Sequence, residues 1–205
     1  MVRVHFECNC PTQWGEEIFV VGSHEAIGKW DSNKAIHLTC YDLNRWTASV
    51  EFPDDFKNVI EYKYVLFNRQ NQEFISEGGK NRCLIPQKGR FDDYFLVDSW
   101  NNIESHQYAL ISSAFTDVLF APDLKLVKKP ATLKAISLLE FKLIVPLIGN
   151  NEVVALSGNC ETLGRWDCQK AVPLKYSQKG EWVLVIDSTN LPNEFEFKFI
   201  ILNRD

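Results

Sequence analysis

The sequence predicts an all-β protein built as two antiparallel, immunoglobulin-like β-sandwiches in tandem, with the second sandwich truncated at its C-terminal end. Three observations support this prediction. The chain contains an internal repeat, its apolar residues alternate with a period of two, and its short apolar stretches are separated by clusters of Asn, Asp, Gly and Pro. None of these features favours long helices.

The internal repeat is long and collinear. Residues 18–31, IFVVGSHEAIGKWD, match residues 154–167, VALSGNCETLGRWD, at an offset of 136. Further along, residues 60–69, IEYKYVLFNR, match residues 195–204, FEFKFIILNR, at an offset of 135. Because these landmarks keep one order and nearly one spacing, we interpret the chain as two copies of one domain.

Within each copy the apolar residues alternate as they do in half-buried strands. Trp46 begins a strand in which every second residue is apolar, and Tyr62 and Tyr64 share one face of the strand 60–66. This pattern places Trp46 and its counterpart Trp182 in the core. The matching strand of copy two is expected to point inward with Phe195, Phe197, Phe199 and Ile201.

The two copies differ in length. Residues 1–100 fit one complete sandwich of about seven strands, whereas residues 138–205 contain no counterpart of residues 71–100. A sandwich without its last strands exposes an unpaired sheet edge, so we expect the rest of copy two to belong to a longer natural protein. The intervening residues 101–137 are too apolar for a flexible linker, and we expect them to pack on a neighbouring domain.

Composition and charge exclude several classes of function. With 22 Lys and Arg against 27 Asp and Glu, the formal net charge is −5, and the chain lacks the basic excess typical of nucleic-acid binding. No apolar run approaches the roughly 20 residues of a membrane span, so we expect no membrane partner. The first residues, MVRVHFE, alternate like a strand, which argues against a secretory signal.

The six cysteines indicate reduced thiols. Cys8 and Cys10 lie on one face of a single strand, which is a poor geometry for a bridge. They have no second Cys or His pair at zinc-finger spacing, so we expect them to be small apolar side chains in or near the core. The sequence thus predicts no metal, no cofactor and a cytoplasmic location.

The sequence carries no catalytic constellation. It has no GxSxG, HExxH or GxxxxGK motif, and its four histidines are scattered. The adjacent carboxylates Asp54–Asp55 and Asp92–Asp93 point apart on a strand or cap a turn, unlike the opposed carboxylates of a glycosidase. We therefore expect no catalytic residue and no enzymatic activity within these 205 residues.

The ordered motifs of copy one resemble a known family. The pattern TxxGExIxVVGSxxxxGxWD, then a Trp-initiated strand, EYKYV, ExGxNR and a terminal Trp, is similar to the starch-binding carbohydrate-binding module of family 20 over nearly all of residues 2–100. The resemblance implies a non-catalytic β-sandwich that binds α-1,4-glucan or maltooligosaccharide. The tandem pair, with residues 113–120 (SAFTDVLF) after the first copy, resembles the N-terminal region of plant-type cytosolic 4-α-glucanotransferases, which implies a downstream catalytic domain.

The resemblance implies a first sugar site around the GxW turn. Where the family has a second stacking Trp, this sequence has Ser76, and Phe74, two residues earlier on the same strand face, is the candidate substitute. The positions that match the family's other contacts at this site are Trp30, Lys63, Glu77 and Asn81.

The resemblance also implies a second site in copy one, formed by an aromatic residue just before the Gly-Glu step and another before the Trp-initiated strand. These positions hold Trp14 and Tyr41. Copy two keeps Trp166 and Lys198 of the first site, while Asn150 replaces its second-site aromatic residue. We therefore expect one site in copy two.

Each candidate residue has a structural alternative. The two tryptophans of the GxW turns could be core residues, the two strand lysines could be plain solvated side chains, and Glu77 and Asn81 could belong to a glycine-rich turn. A glucose ring presents an apolar face of C–H groups and a polar rim, which exposed flat aromatics flanked by polar side chains complement. This favours the binding interpretation. The alternative function is a protein-interaction β-sandwich with no sugar site.

Overall fold

The chain forms two compact units, Met1–Tyr108 and Ala109–Asp205, called unit one and unit two below. Within the described residues the regular structure is β-strand apart from short 3-10 helices such as Glu25–Trp30 and Glu161–Trp166, which confirms the predicted all-β class. The predicted connector 101–137 lies almost entirely outside the described residues, and the predicted domain bounds stay predictions. The computed structural model describes residues 1–42, 44–53, 59–86, 91–101, 137–145, 147–149, 151–177 and 180–203.

Unit one contains two sheets. One has the strand order β4-β5-β1-β9 and the other the order β3-β2-β6-β7, with β8 also paired to β6. Pairing is antiparallel except between β1 and β9, which run parallel. The strands are β1 (Val2–Asn9), β2 (Glu16–Gly22), β3 (Ile36–His37), β4 (Thr39–Asp42), β5 (Arg45–Phe52), β6 (Ile60–Asn68), β7 (Glu73–Ser76), β8 (Arg82–Leu84) and β9 (Asp93–Ser99).

The core of unit one lies between the two sheets, because alternate residues of each sheet point inward. Phe6 on β1 meets Tyr62 on β6 edge to face, with ring centroids 5.4 Å apart. Trp46, Cys8 and Cys10 are buried, as predicted. Burial raises the pKa of the Cys10 thiol to about 12, followed in importance by the charge of Glu16.

Unit two repeats this arrangement with fewer strands. Its sheets have the orders β10-β14-β13 and β12-β11-β15. Phe141 meets Phe197 edge to face at 5.1 Å, which repeats the contact of Phe6 and Tyr62, and Trp182 is buried as predicted. The strands are β10 (Leu138–Ile144), β11 (Glu152–Gly158), β12 (Val172–Pro173), β13 (Lys175–Tyr176), β14 (Glu181–Asp187) and β15 (Phe197–Asn203).

The predicted inner face of the last strand needs correction. Phe195 and Phe199 are half-buried and pack against the core of unit two, but Phe197 and Ile201 are exposed. The alternation identifies the correct face of the strand, since these residues keep the register of their unit-one counterparts. Phe197 and Ile201 are nevertheless exposed, because the described residues of unit two include no strands equivalent to β7, β8 and β9.

Two further findings concern the described part of the chain only. No helix there is long and apolar enough to cross a membrane, and no group of three or more His, Cys, Asp or Glu side chains there could hold a metal ion. None of the six cysteines forms a disulfide. Asp54, Asp55 and Asn150, which the sequence singled out, lie outside the described residues.

Candidate functional site

The GxW turn of unit one presents Trp30 to solvent through an unusual backbone. Three consecutive residues adopt the left-handed conformation, with φ of 83° at Gly28, 48° at Lys29 and 64° at Trp30. A Cβ at Gly28 would lie 2.7 Å from the carbonyl oxygen of Lys34, so glycine is required there by both conformation and space. Trp30 is 43% exposed and therefore lies at the surface, not in the core.

The same turn recurs in unit two with nearly the same angles. Gly164, Arg165 and Trp166 have φ of 81°, 50° and 64°, and Trp166 is 42% exposed. Left-handed backbone costs about 1–3 kcal/mol at a non-glycine residue and clusters at functional sites. Two units that differ in most side chains thus keep a costly turn that holds a tryptophan in solvent.

A buried side chain and backbone hydrogen bonds hold the turn in place. Ile27 and its counterpart Leu163 are fully buried next to the glycine. The backbone N–H of Asp31 donates to the carbonyl of Gly28 over 2.9 Å, and the Asp31 carboxylate accepts from the N–H of Asn33 over 3.0 Å. These contacts fix the backbone on both sides of Trp30, so its ring is presented by a rigid support.

The strand lysine of the first site has different partners in the two units. Lys63 Nζ donates to the carbonyl oxygens of Gly79 over 2.9 Å and Glu77 over 3.3 Å. In unit two Lys198 Nζ lies 5.9 Å from the ring centroid of Trp166, within cation–π range. The structure therefore brings the predicted lysine and tryptophan together in unit two, while in unit one the lysine holds the 77–79 loop.

Glu77 is not a surface residue, and its predicted place at a sugar rim is wrong. It is 1% exposed, and its carboxylate accepts hydrogen bonds from the N–H of Tyr64 and from Nε and Nη2 of Arg82. A side chain so enclosed cannot reach a ligand in solvent. Glu77 instead holds the 77–79 loop in place. The backbone carbonyls of Glu77 and Gly79 in this loop accept hydrogen bonds from Lys63 Nζ.

Sequence reasoning missed the buried polar network around Arg82. Its guanidinium lies between two carboxylates, with Nη2 2.9 Å from Glu77 and Nη1 2.8 Å from Asp98. The hydroxyl groups of Tyr62 and Tyr64 donate hydrogen bonds to the carboxylate of Asp98. Burial alone would lower the pKa of Arg82, but hydrogen bonds to Glu77 and the charge of Asp98 raise it overall. Burial, aided by Asp98, raises the pKa of both tyrosines. The sequence signal for this network is Asp98, a charged residue at an inward-pointing position of β9.

Asn81 and Phe74 lie at the edges of the predicted first site. Asn81 is exposed, and its Nδ2 donates a hydrogen bond to the carboxylate of Glu61 over 2.8 Å. Phe74 shares the outer face of its sheet with Ser76, but it is half-buried against Phe67, with ring centroids 4.7 Å apart. Its ring is thus only partly available as a substitute plate.

The second-site residues of unit one are the most exposed aromatics of the described chain after allowing for size: Trp14 is 97% and Tyr41 is 78% exposed. Trp14 lies in the loop between β1 and β2, and Tyr41 lies on β4. The backbone N–H of Cys10 donates to the carbonyl of Asn44 over 2.8 Å, which ties that loop to the β4–β5 turn. Arg45 lies 5.0 Å over the Tyr41 ring. The structure gives no contact between Trp14 and Tyr41.

This arrangement suits binding rather than chemistry. Flat apolar rings stand in solvent, with the guanidinium of Arg45 over Tyr41 and the ammonium of Lys198 over Trp166, and such surfaces complement ligands with apolar faces and polar rims. Fold and site together define a class of tandem β-sandwich modules with exposed aromatic plates.

The sequence pattern of the starch binding domain family matches residues 1–93 and 137–205. The chain therefore belongs to the starch binding domain family. One matched segment lies within each of the two units, so each unit carries its own match to the domain.

Similar proteins cover different parts of the chain. The 4-alpha-glucanotransferase DPE2 of Oryza sativa subsp. japonica is 25% identical over 192 residues, which are 88% of this chain and 20% of that protein. The AA13 family lytic polysaccharide monooxygenase A of Aspergillus terreus is 33% identical over 93 residues, 43% of this chain and 22% of that protein. The chain thus spans about a fifth of these relatives.

Solved structures are also similar to part of the chain. The family 20 carbohydrate-binding module of a maltotetraose-forming amylase from Pseudomonas saccharophila is 24% identical, with a TM-score of 0.40. It is matched over its whole length and covers 48% of this chain.

Proposed function

We propose that the chain binds α-1,4-glucan without catalysing a reaction. The observation that carries this proposal is the pair of solvent-exposed tryptophans, Trp30 and Trp166, each held on the same left-handed turn. Stacking on an exposed indole ring complements the C–H face of a glucose unit, and in unit two the ammonium of Lys198, 5.9 Å from the ring centroid of Trp166, suits its hydroxyl rim. Membership of the starch binding domain family supports the same ligand class.

Trp14 and Tyr41 form the candidate second site of unit one. Both rings stand almost free in solvent, and burying them on a ligand would remove a large apolar surface from water. A curved α-1,4 chain suits two plates that it can contact in succession. Unit two contributes Trp166 and Lys198 as a single site.

The larger role we propose is that of a glucan-targeting region of a 4-α-glucanotransferase in the cytoplasm. The rice relative supports this role, because its similarity extends over both units and the segment between them. In this arrangement the catalytic domain of the same polypeptide is the intramolecular partner. Six cysteines without a disulfide are typical of a reducing compartment.

A native gel with and without soluble glycogen tests the proposal. Glycogen should retard the chain, and Trp14→Ala, Trp30→Ala and Trp166→Ala combined should abolish the retardation. Phe95→Ala is the matched control, since Phe95 is an exposed aromatic residue on β9 that belongs to neither candidate sugar site, and it should leave the retardation unchanged.

A protein-interaction module is the second candidate function. Phe95 and Val97 lie exposed side by side on the outer face of β9, and exposed apolar side chains on an edge strand favour association with another protein. Migration that is insensitive to glycogen would favour this function over glucan binding.

A further inference from the structure

The residue that begins the GxW turn differs between the two units. In unit one it is His24, whose Nδ1 accepts a hydrogen bond from the backbone N–H of Ala26 over 3.1 Å. In unit two the equivalent residue is Cys160, and its side chain makes no hydrogen bond that caps the turn. The two turns otherwise share their left-handed backbone and their exposed tryptophan. One side-chain hydrogen bond therefore distinguishes the starts of the two turns.

The backbone of His24 connects this start to the left-handed residues. Its carbonyl oxygen accepts a hydrogen bond from the N–H of Ile27 and another from the N–H of Lys29, each over 3.1 Å. Lys29 directly precedes Trp30 and has a φ of 48°. The direction of this carbonyl depends on the extended backbone of His24, with φ of −93° and ψ of 151°. Because the side-chain bond to Ala26 restricts the same backbone, it helps to hold the indole ring in place.

Packing holds the imidazole ring of His24 in the capping position. The ring centroid lies 5.0 Å from that of Phe52, with an interplanar angle of 59°. Phe52 is fully buried at the end of β5, and His24 itself is half-buried. Turning Nδ1 away from the Ala26 amide would therefore also disrupt a contact with the core.

The cap requires a neutral imidazole. A backbone N–H can only donate, so Nδ1 of His24 must carry no proton, and protonation of the ring converts this acceptor into a second donor. An imidazole changes its charge between about pH 5 and 8, whereas a cysteine thiol stays neutral below about pH 7. Acidification therefore removes the cap at His24 and changes nothing at Cys160.

The other charged side chains around the turn keep their charge over this range. The elements packed on it are β2, β5 and the short 3-10 helix Ser32–Lys34, and carboxylates, lysines and arginines do not titrate between about pH 5.5 and 7.5. Glu25 and Lys29 on the turn itself are exposed. The charged residues of the packed elements and their partners are Glu16 with the N–H of Gln13, Glu17 with Arg69, Arg45 with the ring of Tyr41, Glu51 with Arg3, and Lys34 with Asp31. Within this described set, the charge of His24 is the one that changes.

We propose that neutral His24 positions Trp30, and that protonation of His24 weakens glucan binding at the first site of unit one but not at the Trp166 site of unit two. The proposal rests on the proposed glucan binding. His24 is a positioning residue, because it acts through the turn and does not stack on the sugar. Since unit two forms the same turn without the cap, protonation should weaken the site and not abolish it.

Two double variants of the full chain separate the sites. Trp14→Ala with Trp166→Ala, called the Trp30-only chain, keeps Trp30 as the remaining tryptophan of the candidate sites. Trp14→Ala with Trp30→Ala, called the Trp166-only chain, keeps Trp166. Isothermal titration with maltoheptaose at about pH 7.5 and 5.5 should show an affinity that falls roughly threefold to fivefold at the lower pH in the Trp30-only chain. The affinity of the Trp166-only chain should change by less than about twofold.

Substitutions at His24 in the Trp30-only chain separate the cap from the charge. His24→Asn keeps a side-chain acceptor at the cap but does not titrate, so its affinity should be the same at both pH values and close to that of the Trp30-only chain at the higher pH. His24→Ala removes the acceptor and should bind weakly at both pH values. The hydrogen-exchange protection factors of the Ala26 and Lys29 amides should follow the same pattern without sugar, which identifies the turn as the cause.

The outcomes distinguish this inference from glucan binding itself. An affinity of the Trp30-only chain that does not change with pH, or an equal loss in His24→Asn, would overturn the role of His24 and leave glucan binding intact. So would an equal loss in the Trp166-only chain, because Cys160 cannot supply it. If neither chain bound maltoheptaose at either pH, glucan binding would be wrong, and its regulation by His24 with it.

Discussion

Trp30 and Trp166 stand 136 positions apart in the chain and share the same backbone φ of 64°. Each follows a second left-handed residue and a glycine that packs against a backbone carbonyl six residues further on. Relaxing this turn to ordinary backbone would relieve the strain but would move the indole ring. The maintenance of the turn in both units is therefore best explained by a role for the ring in solvent.

Replacing these rings should weaken binding without unfolding the chain. Trp14→Ala and Trp30→Ala should each weaken α-glucan binding by about 1–3 kcal/mol, because each removes an aromatic ring on which a sugar stacks. Isothermal titration with a maltooligosaccharide measures the loss. The melting temperature should stay near that of the parent chain, since both rings are exposed. A large drop in melting temperature for Trp30→Ala would show that the residue supports the fold instead.

Restoring a second plate at the first site should have the opposite effect. Ser76 is exposed and shares the outer face of its sheet with Phe74, so Ser76→Trp places a large ring in solvent beside the partly covered phenyl ring. We expect tighter binding of maltooligosaccharides, measured by isothermal titration. Ser76→Ala is the control and should change little. Equal affinity for both variants would mean that no sugar reaches this strand.

The buried network of Arg82 should matter for stability rather than for binding. Arg82→Met leaves Glu77 buried without its cation, which costs about 3–5 kcal/mol. Arg3→Met is the matched control, because the pair of Arg3 and Glu51 is half exposed on both sides and such surface pairs contribute little to stability. Hydrogen exchange of β6 in unit one measures both changes. Similar exchange rates in the two variants would contradict the structural role of Glu77.

These residues show what the sequence could and could not predict. The repeat and the period-two alternation were sufficient to place Trp46 and Trp182 in the core, because alternation directly encodes which face of a strand is buried. Surface placement of Trp30 followed from a glycine two residues earlier. The burial of Glu77 could not be predicted from the sequence. It depends on the ion pair that Arg82 forms with the Glu77 carboxylate after the chain turns through a glycine-containing loop, and the local sequence pattern does not specify such a contact.

The exposure of Phe197 was missed for a different reason. Its alternation correctly identifies the face on which it lies, but burial also depends on which strands cover that face. Lys63 and Lys198 make a similar point: they occupy the same register position, yet one binds loop carbonyls and the other lies over an indole ring. Partners from distant segments decide such differences, and those partners lie outside any local window of sequence.

Cysteine reactivity should separate core from surface thiols. Alkylation at pH 8 should modify Cys168, which is exposed, and spare Cys8 and Cys10 until the chain is unfolded in urea. Mass spectrometry identifies the modified residues. Because burial raises the pKa of Cys10 from 9.0 to about 12 in the folded chain, the folded state keeps a proton that the unfolded state loses. The stability contributed by this thiol is complete below pH 9 and should decline as the pH rises from 9 towards 12; a flat profile for unit one would contradict its burial.

The last prediction concerns the two units together. A single shallow plate gives low affinity, because it buries little area and most sugar hydroxyls stay hydrated, whereas two linked sites on one polymer raise the apparent affinity through effective concentration. We therefore expect the chain to bind glycogen far more tightly than a short maltooligosaccharide that cannot reach both units. Trp166→Ala should remove most of this advantage while leaving the affinity of the unit-one sites for the short sugar unchanged. Affinity electrophoresis in glycogen and titration with the oligosaccharide measure the two quantities, with Phe95→Ala as the control. If Trp166→Ala left glycogen affinity at the parent value, unit two would contribute nothing to avidity, and glucan binding would reside in unit one alone.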